Sequence, residues 1–263
     1  MTPPSRLSEN NEVKLKDRVA LVTGGGTGIG RGVSEALARE GATVIVNYSE
    51  SKHAAEEVAG QIRGIAIKAS VSNDQAVRQM LATIQEKFGR LDLLVNNAGW
   101  SQRVPHDRLE DLTDEIWDRT LDTNLRGAFY CARAAAPLLK LQAGASIVNI
   151  ASVAGISGMG SSIVYAASKG AMITMTKSLA RALAPEVRVN AVAPGFVRTR
   201  FANWPPSAFD EGEAQSPLGQ LATTDDIAAT VLYFAADALS VTGETIVVDA
   251  GTTVLGPRFR KHV

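Results

Sequence analysis

Tyr165 and Lys169 stand four residues apart in "IVYAASKG", within a run of small and apolar residues. A spacing of four stacks two side chains on one helix face, about one turn apart. A free tyrosine has a pKa near ~10 and keeps its proton at neutral pH. A cation about 4 Å away, at an effective dielectric of about 20, favours the phenolate by a few kcal/mol and lowers that pKa by roughly a unit or more. Such a phenol can trade a proton with an alcohol or a carbonyl. Alone, the same spacing also describes two ordinary neighbours on a helix surface, so the rest of the chain must decide.

A second stretch, "LVTGGGTGIGRG", places Gly24, Gly28 and Gly30 between a strand-like run and a helix-like one. Glycines there let the backbone approach a phosphate, and a helix N-terminus offers free N–H groups and the positive end of its dipole. The residues fit neither G-x-G-x-x-G nor the P-loop, because Gly30 is followed by Arg31 and Gly32 where a P-loop needs lysine and a hydroxyl. A glycine-rich turn without a ligand stays open at this point.

The elements that must position these residues are legible as periodic runs. Near-continuous apolar stretches begin at 18, 42, 64, 91, 145, 187 and 244, as expected for strands covered on both faces. Helix-sized segments alternate with them at about 29–40, 51–62, 73–88, 113–141, 162–184 and 223–236. The alternation predicts a single α/β domain, a doubly wound fold with a seven-stranded parallel sheet and helices on both faces. Residues 1–15 are expected to be a flexible arm, with the catalytic domain spanning 16–263. The segment 199–219 has prolines and aromatics but no clear period, and is expected to be a loop acting as a lid.

Composition narrows the function classes. Lys and Arg total 27 against 27 Asp and Glu, and no basic run interleaves with aromatics, so nucleic acid is not an expected partner. No apolar run reaches the ~20 residues of a membrane span. The single cysteine, Cys131, lies in an apolar stretch and reads as a buried structural thiol. Without a cysteine framework or an apparent leader, the expected compartment is the cytoplasm. The three histidines, His53, His106 and His262, are scattered, and no metal site is expected.

Five motifs then stand in order along the chain: "TGGGTGIG", "NNAG" at 96, "IAS" ending at Ser152, "YAASK" at 165 and "PGFVRT" at 194. Together they resemble the short-chain dehydrogenase/reductase family, from about residue 16 to 251. The resemblance implies an NAD(P)-dependent oxidoreductase on a Rossmann fold, interconverting a ketone and a secondary alcohol. It implies that Ser152 hydrogen-bonds the substrate oxygen and that Tyr165 donates or removes the proton. Lys169 would hold the nicotinamide ribose and assist Tyr165, and Asn124 would kink its helix and order a water on the proton path. Alone, Ser152 would read as a strand-end cap and Asn124 as a helix-surface amide.

The same resemblance assigns the dinucleotide contacts. Gly24, Thr27, Gly28, Ile29 and Gly30 would hold the pyrophosphate, and Ser70 and Val71 the adenine. Asn97, Ala98 and Gly99 would line the ribose, with Pro194, Gly195, Val197 and Thr199 closing on the nicotinamide. Tyr48 aligns with the position where NAD-preferring members carry an acid, and Ser49 and Lys52 follow it. NADP(H) is therefore the favoured cofactor, with NAD(H) possible and Glu50 an opposing charge.

Expectations thin out at the substrate. Trp100, Met159, Phe201, Trp204 and Phe209 suggest an apolar pocket, and Arg103, His106 and Arg200 could face a polar group. A free carbonyl or alcohol is favoured over a 3-oxoacyl carrier-protein substrate, since "KLQAGAS" offers only Lys140 as a basic docking residue. A non-catalytic dinucleotide-binding regulator is a further alternative. The helices at 113–141 and 162–184 are apolar over more than one face, and the family's habit of pairing them implies a homotetramer.

Overall fold

Seven short strands form one sheet in the computed structural model, which describes residues 13–257. They are β1 (Val19–Val22), β2 (Thr43–Tyr48), β3 (Ile65–Lys68), β4 (Leu93–Asn96), β5 (Ser146–Ile150), β6 (Arg188–Pro194) and β7 (Thr245–Val248). Their order is β3-β2-β1-β4-β5-β6-β7, and every neighbouring pair is parallel. The chain winds outward from β1 to β3, then returns to the other side of β1 with β4. That reversal opens a crevice beyond the carboxyl ends of β1 and β4, where wound sheets bind ligands.

Alternate strand residues feed two cores. Ala20 and Val22 of β1 pack with Val44 and Val46 of β2 under helices α1 (Gly28–Arg39), α2 (Lys52–Gln61) and α9 (Thr224–Leu232). Val19 and Leu21 point the other way, against α3 (Asp74–Phe88), α5 (Gly127–Leu139) and α7 (Ile163–Leu183). Burial of each aliphatic side chain stabilises by about 1.5–3 kcal/mol, so helices on both faces are what such apolar strands require. Cys131 lies wholly inside the second core, where burial pushes its thiol up to about 12. That makes it unreactive.

Three expected elements differ in detail. The helix expected over 113–141 is α4 (Asp114–Leu121) and α5 joined through a π turn, Asp122–Arg126, in which the Gly127 N–H donates to Asp122 O. The turn holds one extra residue, and the buried Asn124 side chain sits within it. The segment expected to be a loop at 199–219 contains a 3₁₀ turn, Phe201–Asn203, and α8 (Pro206–Gln215). Proline at its first position favours starting that helix, but Phe209 is its only buried residue, too little to leave an apolar period. The expected arm falls mostly on residues 1–12, outside the described residues. Leu15 already packs in the core, with its N–H donating to Glu40 O at 2.8 Å.

Candidate active site

Ser152 lies two residues past β5, and Tyr165 occupies the first turn of α7. Ser162 caps that helix, its Oγ accepting from the Tyr165 N–H at 3.3 Å, which fixes the tyrosine at the third position. Lys169 follows one turn later, 4% exposed, and its Nζ donates to Ile150 O at the end of β5 across 2.7 Å. The lysine thereby fastens α7 to the strand that carries Ser152. Ser152 Oγ also accepts from the Ala154 N–H at 3.1 Å, a local turn contact just before the short α6 (Ala154–Ser157), whose N-cap is Val153 with no side-chain hydrogen bond.

The electrostatics overturn one expectation. Burial pushes the Tyr165 phenol up to about 12, with a hydrogen bond from the Ser152 side chain pulling the other way. Burial also pulls the Lys169 ammonium down to about 8. Its Nζ lies 5.8 Å from the centre of the Tyr165 ring and is turned toward Ile150 O. Desolvation therefore outweighs the attraction anticipated from the four-residue spacing, and the protein alone keeps Tyr165 as a protonated acid.

Asn124 is completely buried and is no surface amide. Its Oδ1 accepts from the Trp100 N–H at 2.7 Å, and its Nδ2 donates to Trp100 O at 3.0 Å and to Ser168 Oγ at 3.2 Å. The side chain is thus committed to holding the turn after β4. Both hydrogens of its amide are therefore committed within the fold.

The glycine turn suits a pyrophosphate. Thr27 caps α1 in extended conformation without a side-chain hydrogen bond, and no acid occupies the first turn. The amides of Gly28, Ile29 and Gly30 thus begin the helix without a side-chain partner, beside an exposed Thr27. Gly28 has φ of +52°, and a Cβ there would stand 3.4 Å from Thr199 Cγ2, filling the gap between the turn and the segment after β6. At Gly30 a Cβ would fall 2.2 Å from Gly24 O, so only glycine lets the turn close.

Two residues not singled out from sequence brace this crevice. Thr23 Oγ1 accepts from the N–H groups of Asn97 at 2.9 Å and Ala98 at 3.0 Å, while Asn97 Nδ2 donates to Thr23 O and Gly24 O. Asn47 Nδ2 donates to Ala69 O at 2.9 Å, and its Oδ1 accepts from the Gly24 N–H at 3.4 Å. Both are buried polar residues at the ends of apolar strands, the one signal that could have marked them.

At the end expected to face the adenosine, Tyr48 closes β2 but is buried in the apolar core under α1 and α2, so Ser49 presents the exposed hydroxyl. Ser70 shares a hydrogen bond with Ser72 at 2.9 Å, and Val71 is buried beside it. At the other end, Pro194 finishes β6, Gly195 lies close to Asp249 and Val197 is buried. The segment 199–219 packs against this end, with Phe196 edge-on to both Trp204 and Phe209 and Arg103 lying over Trp204. Trp100 departs from its expected place in the pocket wall, packing with Val104, Ile116 and Val164 between α4 and α7. Met159 is 72% exposed and does not join the aromatic cluster of the lid.

Residues 24–253 match the family model described as Enoyl-(Acyl carrier protein) reductase. A 3-oxoacyl-[acyl-carrier-protein] reductase of Staphylococcus aureus is 40% identical over 240 residues, covering 88% of this chain and 96% of that protein. A short-chain dehydrogenase of Burkholderia cenocepacia, solved in complex with NADP, aligns with a TM-score of 0.85 at 34% identity over 92% of this chain and 100% of that one. A glucose/ribitol-type member from Brucella melitensis gives a TM-score of 0.85 at 34% identity, over 90% and 97% of the two chains. The chain is a short-chain dehydrogenase/reductase. As a member of that family it is an oxidoreductase that works with a nicotinamide dinucleotide. Among the described residues of this dehydrogenase/reductase, no helix is long and apolar enough to cross a membrane and no cluster of three metal-ligating side chains occurs.

Proposed function

We propose that this enzyme transfers hydride between NADP(H) and the ketone or secondary alcohol of a free small molecule, with Tyr165 as general acid and base. The observation that carries the reading is the convergence of Ser152 and a protonated Tyr165 beyond the end of β5, with Lys169 beneath them. A bound nicotinamide supplies or accepts the hydride. Ser152 would donate to the substrate oxygen as charge grows on it, and Tyr165 would deliver the proton that neutralises it. Lys169, poised near 8 and held at Ile150 O, would gain from a ribose hydroxyl within reach and set the ease of that proton's release. A phenol that holds its proton suits carbonyl reduction at neutral pH; alcohol oxidation asks for the same proton to be lost first.

Support for NADP(H) over NAD(H) comes from Tyr48 in place of a carboxylate, the open Ser49 hydroxyl and the NADP bound in the Burkholderia relative. The Gly24 to Gly30 turn would hold the pyrophosphate and Thr199 would approach it from across the cleft. A carrier-linked 3-oxoacyl substrate is the second reading, favoured by the name of the Staphylococcus relative. Against it, Arg126 is paired with Asp122 at 2.6 Å and Arg133 with Asp74 at 2.7 Å, which leaves Lys140, in loose contact with Glu186 at 4.0 Å, as the least engaged cation of the three. We also propose a cytoplasmic homotetramer.

Following nicotinamide absorbance with a panel of ketones, 3-oxoacyl thioesters and carrier-linked 3-oxoacyl groups tests the reading. A kcat/KM highest for a small ketone with NADPH is expected. Turnover confined to the carrier-linked substrate would replace it with the second reading, and none with any carbonyl and either coenzyme would end both.

A further inference from the structure

Arg119 of α4 belongs to no motif, yet it joins two turns of the crevice. Its Cζ lies 4.5 Å from the centre of the Trp100 ring, and its Nη2 is 3.6 Å from Glu50 Oε1. Trp100 follows β4 and is a fixed platform, because the buried Asn124 amide bonds both its N–H and its carbonyl. Glu50 lies in the turn after β2, two residues past Tyr48. β2 and β4 are the two neighbours of β1, so a single guanidinium reaches from one side of the glycine turn to the other. The end of β2 is where wound sheets recognise the adenosine ribose.

The grip on Glu50 is loose. Its side chain is 84% exposed and that of Arg119 is 49% exposed, and a pair 3.6 Å apart in water contributes little. Of the neighbouring cations, Arg31 is held by Glu35 at 2.8 Å, while Lys52 has as loose a contact, 3.7 Å to Glu56, but no aromatic ring beneath it to fix its place. A phosphate dianion offers a guanidinium two parallel charge-assisted hydrogen bonds, a better partner than one distant carboxylate oxygen.

We propose that Arg119 reads the 2′ position of the adenosine ribose: resting on Trp100, it turns from Glu50 to a 2′-phosphate, while a bare 2′-hydroxyl leaves the Arg119–Glu50 pair in place. The inference rests on the dinucleotide reading above and adds a residue and a partner switch to it. Calorimetric titration of adenosine 2′,5′-bisphosphate and adenosine 5′-monophosphate needs no turnover and separates the two. In Arg119→Met, which keeps a stem to cover Trp100, the bisphosphate-to-monophosphate affinity ratio is expected to fall about 10–100-fold. In Glu50→Gln, freed of the competing carboxylate, the ratio is expected to rise. A ratio in Arg119→Met within about twofold of wild type, the scale of an ordinary surface change, would overturn the proposal. Failure of the wild type to bind either nucleotide would instead take down the dinucleotide reading, and the inference with it.

Discussion

The ring of Phe201 stands 5.7 Å from that of Tyr165, tilted by 50°. Phe201 opens the 3₁₀ turn that leads into α8, so the segment expected to act as a lid touches the proposed acid itself. Phe201 thus covers part of the phenol ring from a segment that is anchored elsewhere, through Phe196, Trp204 and Phe209.

Replacing Phe201 with Ala would remove that contact and admit water to Tyr165. An aromatic pair is worth about 0.5–1.5 kcal/mol beyond its buried area, so kcat/KM for carbonyl reduction should fall, by roughly tenfold at most. The alkaline limb of the pH–rate profile should move to lower pH as burial of the phenol is relieved. A profile that stays put would separate the lid from the acid.

Tyr165→Phe keeps the ring against Phe201 and deletes only the hydroxyl. Loss of a positioned proton donor costs about 10²–10⁴-fold, so turnover should fall by that amount while nucleotide binding, followed by fluorescence, persists. Near-wild-type turnover would move the acid to another residue.

Lys169 makes stability depend on pH. Its folded value near 8 lies below the 10.5 of an unperturbed lysine, so between those values the unfolded chain binds more protons than the folded one. Stability from this group therefore rises as pH increases from 8 to 10.5, by about 3 kcal/mol if the whole window is realised. Tyr165 has the opposite sign at higher pH, since its folded value near 12 lies above 10 and its contribution declines between them. Urea denaturation of nucleotide-free protein at pH 7.5 and 9.5 should show wild type gaining on Lys169→Met, in the direction and roughly the size given by that linkage. Parallel curves would mean that the buried amine keeps an ordinary pKa.

Much of this was open to a reader of the chain, and what was hidden was hidden for physical reasons. Strands such as "ALVT" and "SIVNI" are apolar throughout because helices cover both faces, and the Tyr165, Lys169 and Ser152 set sits in motifs whose order survives in one dimension. The phenol's pKa was not legible, because burial raises it and a hydrogen bond from Ser152, 13 residues away, opposes that, and neither can be read from the Tyr165–Lys169 spacing. Nor was the place of Trp100, decided by Asn124 from 24 residues away. Thr23 was missed because its hydroxyl meets partners 74 and 75 residues on. Local spacing shows which groups can meet; only the fold sets how dry the meeting place is.

The outer faces of α4 and α5 leave Trp117 and Phe129 each 40% exposed. Apolar surface of that kind favours association, and light scattering at micromolar concentration should give the mass of four chains. A monomer would leave those faces to some other partner.

Asn124 offers a test of how the scaffold serves the site. Truncation to Ala would strip partners from the Trp100 N–H and the Trp100 carbonyl at once, and one of two partners from Ser168 Oγ, in a partly buried region. Leaving buried polar groups unpaired costs about 1–3 kcal/mol each, but the turn after β4 can relax toward water, so a net loss of roughly 2–4 kcal/mol is expected. Trp100 carries Arg119, and its neighbours Ala98 and Gly99 adjoin the crevice, so affinity for nucleotide should drop alongside the melting temperature. Asn124→Asp keeps the acceptor for the Trp100 N–H but turns a carboxylate oxygen toward the Trp100 carbonyl, and should rescue neither property. Calorimetric melting with and without NADPH reads both effects. An Asp variant as stable and as responsive to NADPH as wild type would mean that the Nδ2 donor does not hold this turn.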